Sequence, residues 1–384
     1  MPFFTSKTLY TPRQAIADGT IEVEDGRILR IGSRDAFTVS PNRTVMSFPD
    51  CAFVPGFFDV HIHGAAGCDV MRASGGEMER MEAFLVRRGV TGYFPTTVSA
   101  GVDATLSALE RLANAIESAP GAERRARPFG IHLEGPFLSH RKRGVHPPED
   151  LVRPGVGLFD RLWQASRGHV RMMTMAPELD CAEEVIAEAA KRGVCVSIGH
   201  SDANLEQARR GIQAGARHAT HTFNAMRALD HRDPGILGEV LTNREVSADV
   251  IADGIHVDPR IVDLLFRAKG AENFVLITDA ISATGMPEGR YQLGPIEVEV
   301  KGGRCLHGGN LAGSVLTMDR ALTNAMRFAG LTLQQAAQAA STNPARIAGM
   351  PAKGVIAAGA DADFVVLAPD GEVRATVVAG QLVQ

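Results

Sequence analysis

Five short apolar runs along this chain close on side chains able to bind a metal ion or move a proton. The run Phe53-Val54-Pro55-Gly56-Phe57-Phe58-Asp59-Val60 closes with His61-Ile62-His63-Gly64. Residues two apart on a strand project to the same side, so both imidazoles can face one point. Farther on, Phe129-Gly130-Ile131-His132-Leu133 closes with Glu134, and Val194-Cys195-Val196-Ser197-Ile198-Gly199 with His200. Ala219-Thr220 closes with His221, and Phe274-Val275-Leu276-Ile277-Thr278 with Asp279. Four imidazoles (His61, His63, His200, His221) and the carboxylate of Glu134 form a ligand set suited to zinc or ferrous iron, with Glu134 able to bridge two ions. Asp279 then suits a general base, because a coordinated water has its pKa lowered to about 7 and a nearby carboxylate can accept its proton. The chemistry is metal-assisted hydrolysis.

Each residue alone has a plainer reading. Glu134 could pair with an arginine, Asp279 could cap a helix, and His200 and His221 could be hydrogen-bonded core histidines. Independent structural residues have no reason to share strand-end positions on five strands, so the set is read as one site. His132, two before Glu134, is a candidate partner behind the ligands, and His218 faces elsewhere; both are structural by default. Cys68 follows the histidine pair closely but reads as a small buried residue.

The elements that must position these groups alternate between strand-like and helix-like. Strands are expected near 54–62, 90–97, 128–134, 170–176, 194–199, 217–221, 246–252 and 273–279. Candidate helices lie at 76–88, 103–118, 182–192 and 205–214, each followed by a Gly or Pro stop. Eight such units fit an α/β fold of the (β/α)₈ TIM-barrel type, whose sites form at the C-terminal strand ends. A Gly-rich β-hairpin insertion near 290–308 should cover the mouth, followed by helices at 314–329 and 332–347. Both termini are strand-like: a hairpin turns at Asp25-Gly26, and short strands are expected at Gly354-Val355-Ile356, 362–367 and 375–380. They predict a small β-sandwich domain from 1–53 and 348–384, with the barrel over 54–347.

A chain of 384 residues that is 45% hydrophobic can bury a full core. Its net charge of −4 argues against wholesale nucleic-acid or anionic-membrane binding. The chain contains neither a leader pattern nor an apolar stretch of about 20 residues, so a soluble cytoplasmic protein is expected. The five cysteines are odd in number and scattered, and read as free thiols.

The ordered series of motifs resembles the amidohydrolase superfamily and, within it, the N-acetylglucosamine-6-phosphate deacetylase family. The resemblance runs over essentially the whole chain. It is carried by 55–64, His132-Leu133-Glu134-Gly135-Pro136-Phe137, Gly199-His200-Ser201, Thr220-His221-Thr222-Phe223-Asn224-Ala225-Met226, Ala252-Asp253-Gly254-Ile255-His256, Thr278-Asp279-Ala280 and Leu311-Ala312-Gly313-Ser314. It implies that Glu134, His200 and His221 hold the principal divalent metal, that Asp279 is the catalytic acid/base, and that His146 helps polarise an acetyl carbonyl. It further implies a sugar phosphate pocket lined by Val145, Asn224, Ala225, His256, Leu311, Ala312 and Gly313. Arg232 matches a phosphate-binding arginine supplied by a neighbouring subunit, which implies a homodimer. The implied reaction, in amino-sugar catabolism and cell-wall recycling, releases acetate from N-acetylglucosamine 6-phosphate. The galactosamine epimer, another N-acyl sugar phosphate, and a cyclic amide stay open as substrates. Retention of both His61 and His63 leaves one or two ions per subunit open. The fourth strand lacks the lysine whose carbamate bridges two metals in many superfamily relatives, so Glu134 would have to bridge.

Overall fold

The computed structural model describes residues 2–383 apart from 39, 41 and 119–123. Eight parallel strands form the barrel: Phe57–Ile62, Val90–Thr97, Ile131–Glu134, Val170–Met175, Cys195–Ile198, His218–Ala219, Ser247–Ile251 and Phe274–Ile277. A bridge between Ile62 and Ala280 closes the eighth strand onto the first, supported by Asp279 N–H donating to the His61 carbonyl at 2.9 Å. Burial explains the composition of these strands. In Val90–Thr97 and Ser247–Ile251 every position is buried, because helices cover one face and the barrel interior the other. The buried core around these strands includes Val60, Leu133, Met173, Val196, Ala248 and Leu276.

The crossover helices fall close to their expected places: Gly75–Val86, Val102–Ser118, Ala182–Lys191 and Leu205–Ala214. Two begin with capping boxes, Ser74 with Glu77 and Asn204 with Gln207, which satisfy the backbone donors left over at a helix start.

Both chain ends build one eight-stranded mixed sheet, so the small domain expected from the termini is present. The sheet curls until Ile28 N–H donates to the Ala360 carbonyl at 2.9 Å, enclosing its own core of Phe4, Leu9, Ile21, Phe53, Phe364 and Val377. The expected hairpin forms between Gly19–Glu24 and Arg27–Ser33, with Asp25 and Gly26 both at positive φ.

Four expectations shift. Val54 and Pro55 belong to the small sheet as the end of Val45–Pro55, and the first barrel strand starts beyond Gly56. The third barrel strand starts at Ile131, because Phe129 and Gly130 interrupt it after the short pair Arg127–Pro128. Residues 354–356 form no strand; Ile356 instead fills the small core. Helix starts at Met318 rather than 314, because Ser314 pairs as an extended residue with Ala280 and its hydroxyl donates to the Thr278 carbonyl.

The insertion is larger than a hairpin. Gly289–Leu293, Ile296–Lys301, Arg304–His307 and Asn310–Leu311 make a four-stranded antiparallel sheet over the mouth. Ile296, Val298 and Val300 point inward and Glu297, Glu299 and Lys301 outward, the alternation of a sheet with one wet face. No helix among the described residues is long and apolar enough to cross a membrane.

Candidate metal centre and active site

The strand-end groups converge. His61, His63 and Asp279 form one group of ligand atoms within 4.8 Å of one another, and Glu134, His200 and His221 form a second, all six buried. Glu134 lies between them: Oε1 is 3.1 Å from His221 Nε2 and 3.3 Å from His200 Nε2, and Oε2 is 3.3 Å from His63 Nε2. Asp279 Oδ1 sits 3.1 Å from His63 Nε2 and 3.5 Å from His61 Nε2. One carboxylate thus touches both groups, the position a bridging ligand needs.

Three of these residues leave their strands in a strained conformation. His200, His221 and Asp279 have φ of 46°, 31° and 50°, a left-handed region costing roughly 1–3 kcal/mol for a residue with a Cβ. The turn at each strand end aims the side chain into the mouth, and the surrounding structure holds it there.

Fixed backbone groups decide several tautomers. A carbonyl only accepts, so the 3.0 Å contact of His63 Nδ1 with the Thr96 carbonyl places a proton on Nδ1, and the 2.9 Å contact of His200 Nδ1 with the Lys142 carbonyl does the same. In their neutral forms both rings turn an Nε2 lone pair toward the centre. His146 is the reverse: Ser99 N–H donates to its Nδ1 at 3.2 Å, so neutral His146 carries its proton on Nε2, facing Glu134 Oε2 at 3.6 Å. His146 is therefore a donor into the cavity.

The cluster calls for positive charge. Burial alone would raise the Glu134 and Asp279 carboxyls, but the surrounding histidines outweigh it; Glu134 falls well below its ordinary value and Asp279 is lowered too. Burial would likewise depress His63 and His221, yet hydrogen bonds to the same carboxylates push them up to about 10 and about 9. His200, where burial prevails, is lowered to about 4 and stays neutral. Protons occupy places that a divalent cation fits: buried carboxylates, imidazole lone pairs and an enclosed centre.

The centre opens into a cavity of about 530 Å³ lined by Val145, Asn224, Ala225, His256, Leu311 and Gly313. Ala312 lies buried behind that wall, with its N–H on the Cys305 carbonyl. His256 is set by Asp253, which meets its Nδ1 at 2.7 Å. Arg232 does not line its own chain's cavity; it stands on an exposed loop, its backbone N–H held by Asp230. Asp233, next to it, engages Arg227 instead. Cys68 is fully buried beside Met78, and burial pushes its thiol up to about 12; no cysteine joins either ligand group among the described residues.

Sequence reasoning missed one wall of the cavity, His140-Arg141-Lys142-Arg143; the signal was a run of four basic side chains just before Gly144-Val145-His146. It also missed the buried carboxylates Asp59 and Asp249. His132 does not touch Glu134 through a hydrogen bond. Its Nδ1–H donates to the Val60 carbonyl at 3.0 Å, and its Nε2 accepts from Thr174 at 2.7 Å. Thr174 in turn accepts from Thr220 at 2.7 Å and Thr220 from Ser197, a directed relay across the barrel floor.

The amidohydrolase family pattern matches residues 52–383. The chain is 34% identical over 380 residues to the N-acetylglucosamine-6-phosphate deacetylase of Bacillus subtilis, covering 97% of this chain and 95% of the relative. It is 35% identical over 371 residues to the N-acetylgalactosamine-6-phosphate deacetylase of Escherichia coli O157:H7, covering 96% and 93%. Among solved structures, a mutant N-acetyl-D-glucosamine-6-phosphate deacetylase from Mycobacterium smegmatis, in complex with N-acetyl-D-glucosamine-6-phosphate, superposes with a TM-score of 0.93 at 35% identity, covering 99% and 98%.

Filling this centre must displace protons. His63 and His221 hold theirs to about 10 and about 9, above the ordinary imidazole value, so both are charged at pH 7.5 in the metal-free protein. Divalent-ion binding is expected to release protons at pH 7.5 and to tighten as pH rises toward 9. Calorimetry in buffers of different ionisation enthalpy reads this directly; a heat independent of buffer would contradict the assignment.

Proposed function

The chain belongs to the amidohydrolase family, a metal-dependent one, and on that premise we propose that it hydrolyses N-acetylglucosamine 6-phosphate to glucosamine 6-phosphate and acetate. The observation that carries this reading is the meeting, in one cavity, of a buried ligand cluster, an ionised Asp279 and a hydrogen-bond donor, His146. Glu134, His200 and His221 would hold the principal ion, with His61 and His63 available to a second. Zinc and ferrous iron both suit the donor set. When bound, a divalent ion there would supply Lewis acidity toward a water and the acetyl carbonyl.

Asp279 takes the proton of the attacking water, for which its lowered pKa keeps it ionised at neutral pH. As the carbon–oxygen bond forms, negative charge grows on the acetyl oxygen, and His146 Nε2–H donates to it. Asp279 then delivers the proton to the departing nitrogen, so the amide bond breaks to acetate and a free amine. Asn224, Ala225, His256, Leu311, Gly313 and Val145 form the wall for the sugar phosphate, with Ala312 buried behind it. The chain acts as a cytoplasmic homodimer without nucleic-acid or membrane partners. Arg232, exposed and away from its own cavity, reaches the phosphate in the neighbouring subunit, where a guanidinium fork matches a phosphate's oxygens. Deacetylation of the galactosamine epimer is the second reading, favoured by the 35% identical relative that carries that name.

Acetate release measured with both epimers on metal-loaded protein decides between the readings. Faster turnover of the gluco substrate is expected, and Asp279→Asn should lower kcat by about 10²–10⁴. Turnover of neither epimer would sink the amino-sugar phosphate reading. Arg232→Ala should raise KM, and mixing Arg232→Ala with Asp279→Asn subunits should restore turnover, because mixed dimers regain one complete site. Failure to restore it, with mixed dimers demonstrated, would place Arg232 outside the neighbour's site.

A further inference from the structure

The four ligand histidines are held in two different ways. His63 and His200 have their rings fixed from behind, each Nδ1–H on a backbone carbonyl. His61 and His221 have none: in both, Nδ1 is buried without a hydrogen-bond partner. No hydrogen bond fixes these two rings from behind, so on that side their orientation comes from the backbone.

At both of these histidines, and in both cases on a fully buried side chain, an aspartate carboxylate accepts the histidine's own backbone N–H. Asp249 Oδ1, on the seventh strand, accepts from His221 N–H, while the Asp249 carbonyl accepts from Thr222 N–H at 2.9 Å. Its other oxygen accepts from His218 Nε2–H at 2.8 Å, and Ser247 completes His218 at Nδ1, 2.7 Å away. Asp59 Oδ1, on the first strand, accepts from His61 N–H at 3.3 Å and Thr278 N–H at 3.4 Å, and Oδ2 accepts from the Thr278 hydroxyl at 2.5 Å. Thr278 immediately precedes Asp279.

We propose that Asp249 and Asp59 are positioning residues, gripping the backbones of His221 and His61 in place of the ring bonds those histidines lack. The clamp matters most at His221, whose φ of 31° has to be held against its own strain. Asp59 additionally ties the first strand to the eighth beside the catalytic base. What the clamps require is an accepting oxygen, and charge is not essential to it. The Asp249 clamp rests on the metal-centre reading alone and is tested without substrate; the Asp59 arm rests also on the proposed reaction.

Asp249→Ala is expected to weaken divalent-ion binding by about 10–100-fold in chelator competition, with the metal-free protein folded by circular dichroism. Asp249→Thr, one bond too short to reach, carries the same expectation. Asp249→Asn keeps an oxygen for His221 N–H, and its amide can donate to His218 Nε2 once the ring proton moves to Nδ1, facing Ser247. Its affinity, and the visible spectrum of its cobalt form, should stay close to the unmodified protein. Asp59→Ala should lower kcat with KM unmoved, and Asp59→Asn should restore it. Undiminished affinity in folded Asp249→Ala, or a loss of about tenfold or more in Asp249→Asn, overturns the proposal. The asparagine arm keeps the test decisive even where the truncations fail to fold.

Discussion

Two carboxylates buried in one enclosed centre, Glu134 and Asp279, are the constraint from which the rest of the structure follows. Burying a carboxylate is costly unless positive charge or strong donors meet it. Here four imidazoles and His146 crowd around the pair, and two of those imidazoles keep their protons far above the ordinary range. Such a cluster is a stable place for a cation and an unstable place for anything else. The barrel's closure, the strained strand ends and the backbone clamps all serve to bring these charges together and hold them.

The barrel does this by converting distance in sequence into proximity. Five of the eight strands place one or two of these residues at their C-terminal ends, and the left-handed turn at His200, His221 and Asp279 points those three inward. The floor is a polar relay, Ser197 to Thr220 to Thr174 to His132 to the Val60 carbonyl, which ties five strands together beneath the ligands. Above, the four-stranded insertion closes the cavity and contributes Asn310 and Leu311 to its wall.

The strand-end groups that converge were legible because polar side chains ending apolar runs have few structural uses, and because the βα rhythm is a strong signal. All eight barrel strands lie within a few residues of their expected places. Boundaries failed where two sheets share one apolar run: 53–60 reads as one strand, and only the partner strands show that Gly56 divides it. The start of the helix after Ser314 failed because hydrogen bonds to Asp279 and Thr278, distant in sequence, hold that residue extended. Asp59 and Asp249 left a faint sign, an aspartate inside a strand with every position buried, but their partners are set by tertiary contact. The role proposed for Arg232 across a dimer rests on motif context, since its residue type alone favours a surface ion pair.

The claim at the centre of this account is that hydrolysis depends on a cation held by Glu134, His200 and His221. The direct test is acetate release from N-acetylglucosamine 6-phosphate by protein stripped with a chelator, verified metal-free, and titrated with zinc or ferrous ion. The account predicts that turnover vanishes on stripping and returns as the first equivalent binds. Undiminished turnover by verified metal-free protein would contradict it.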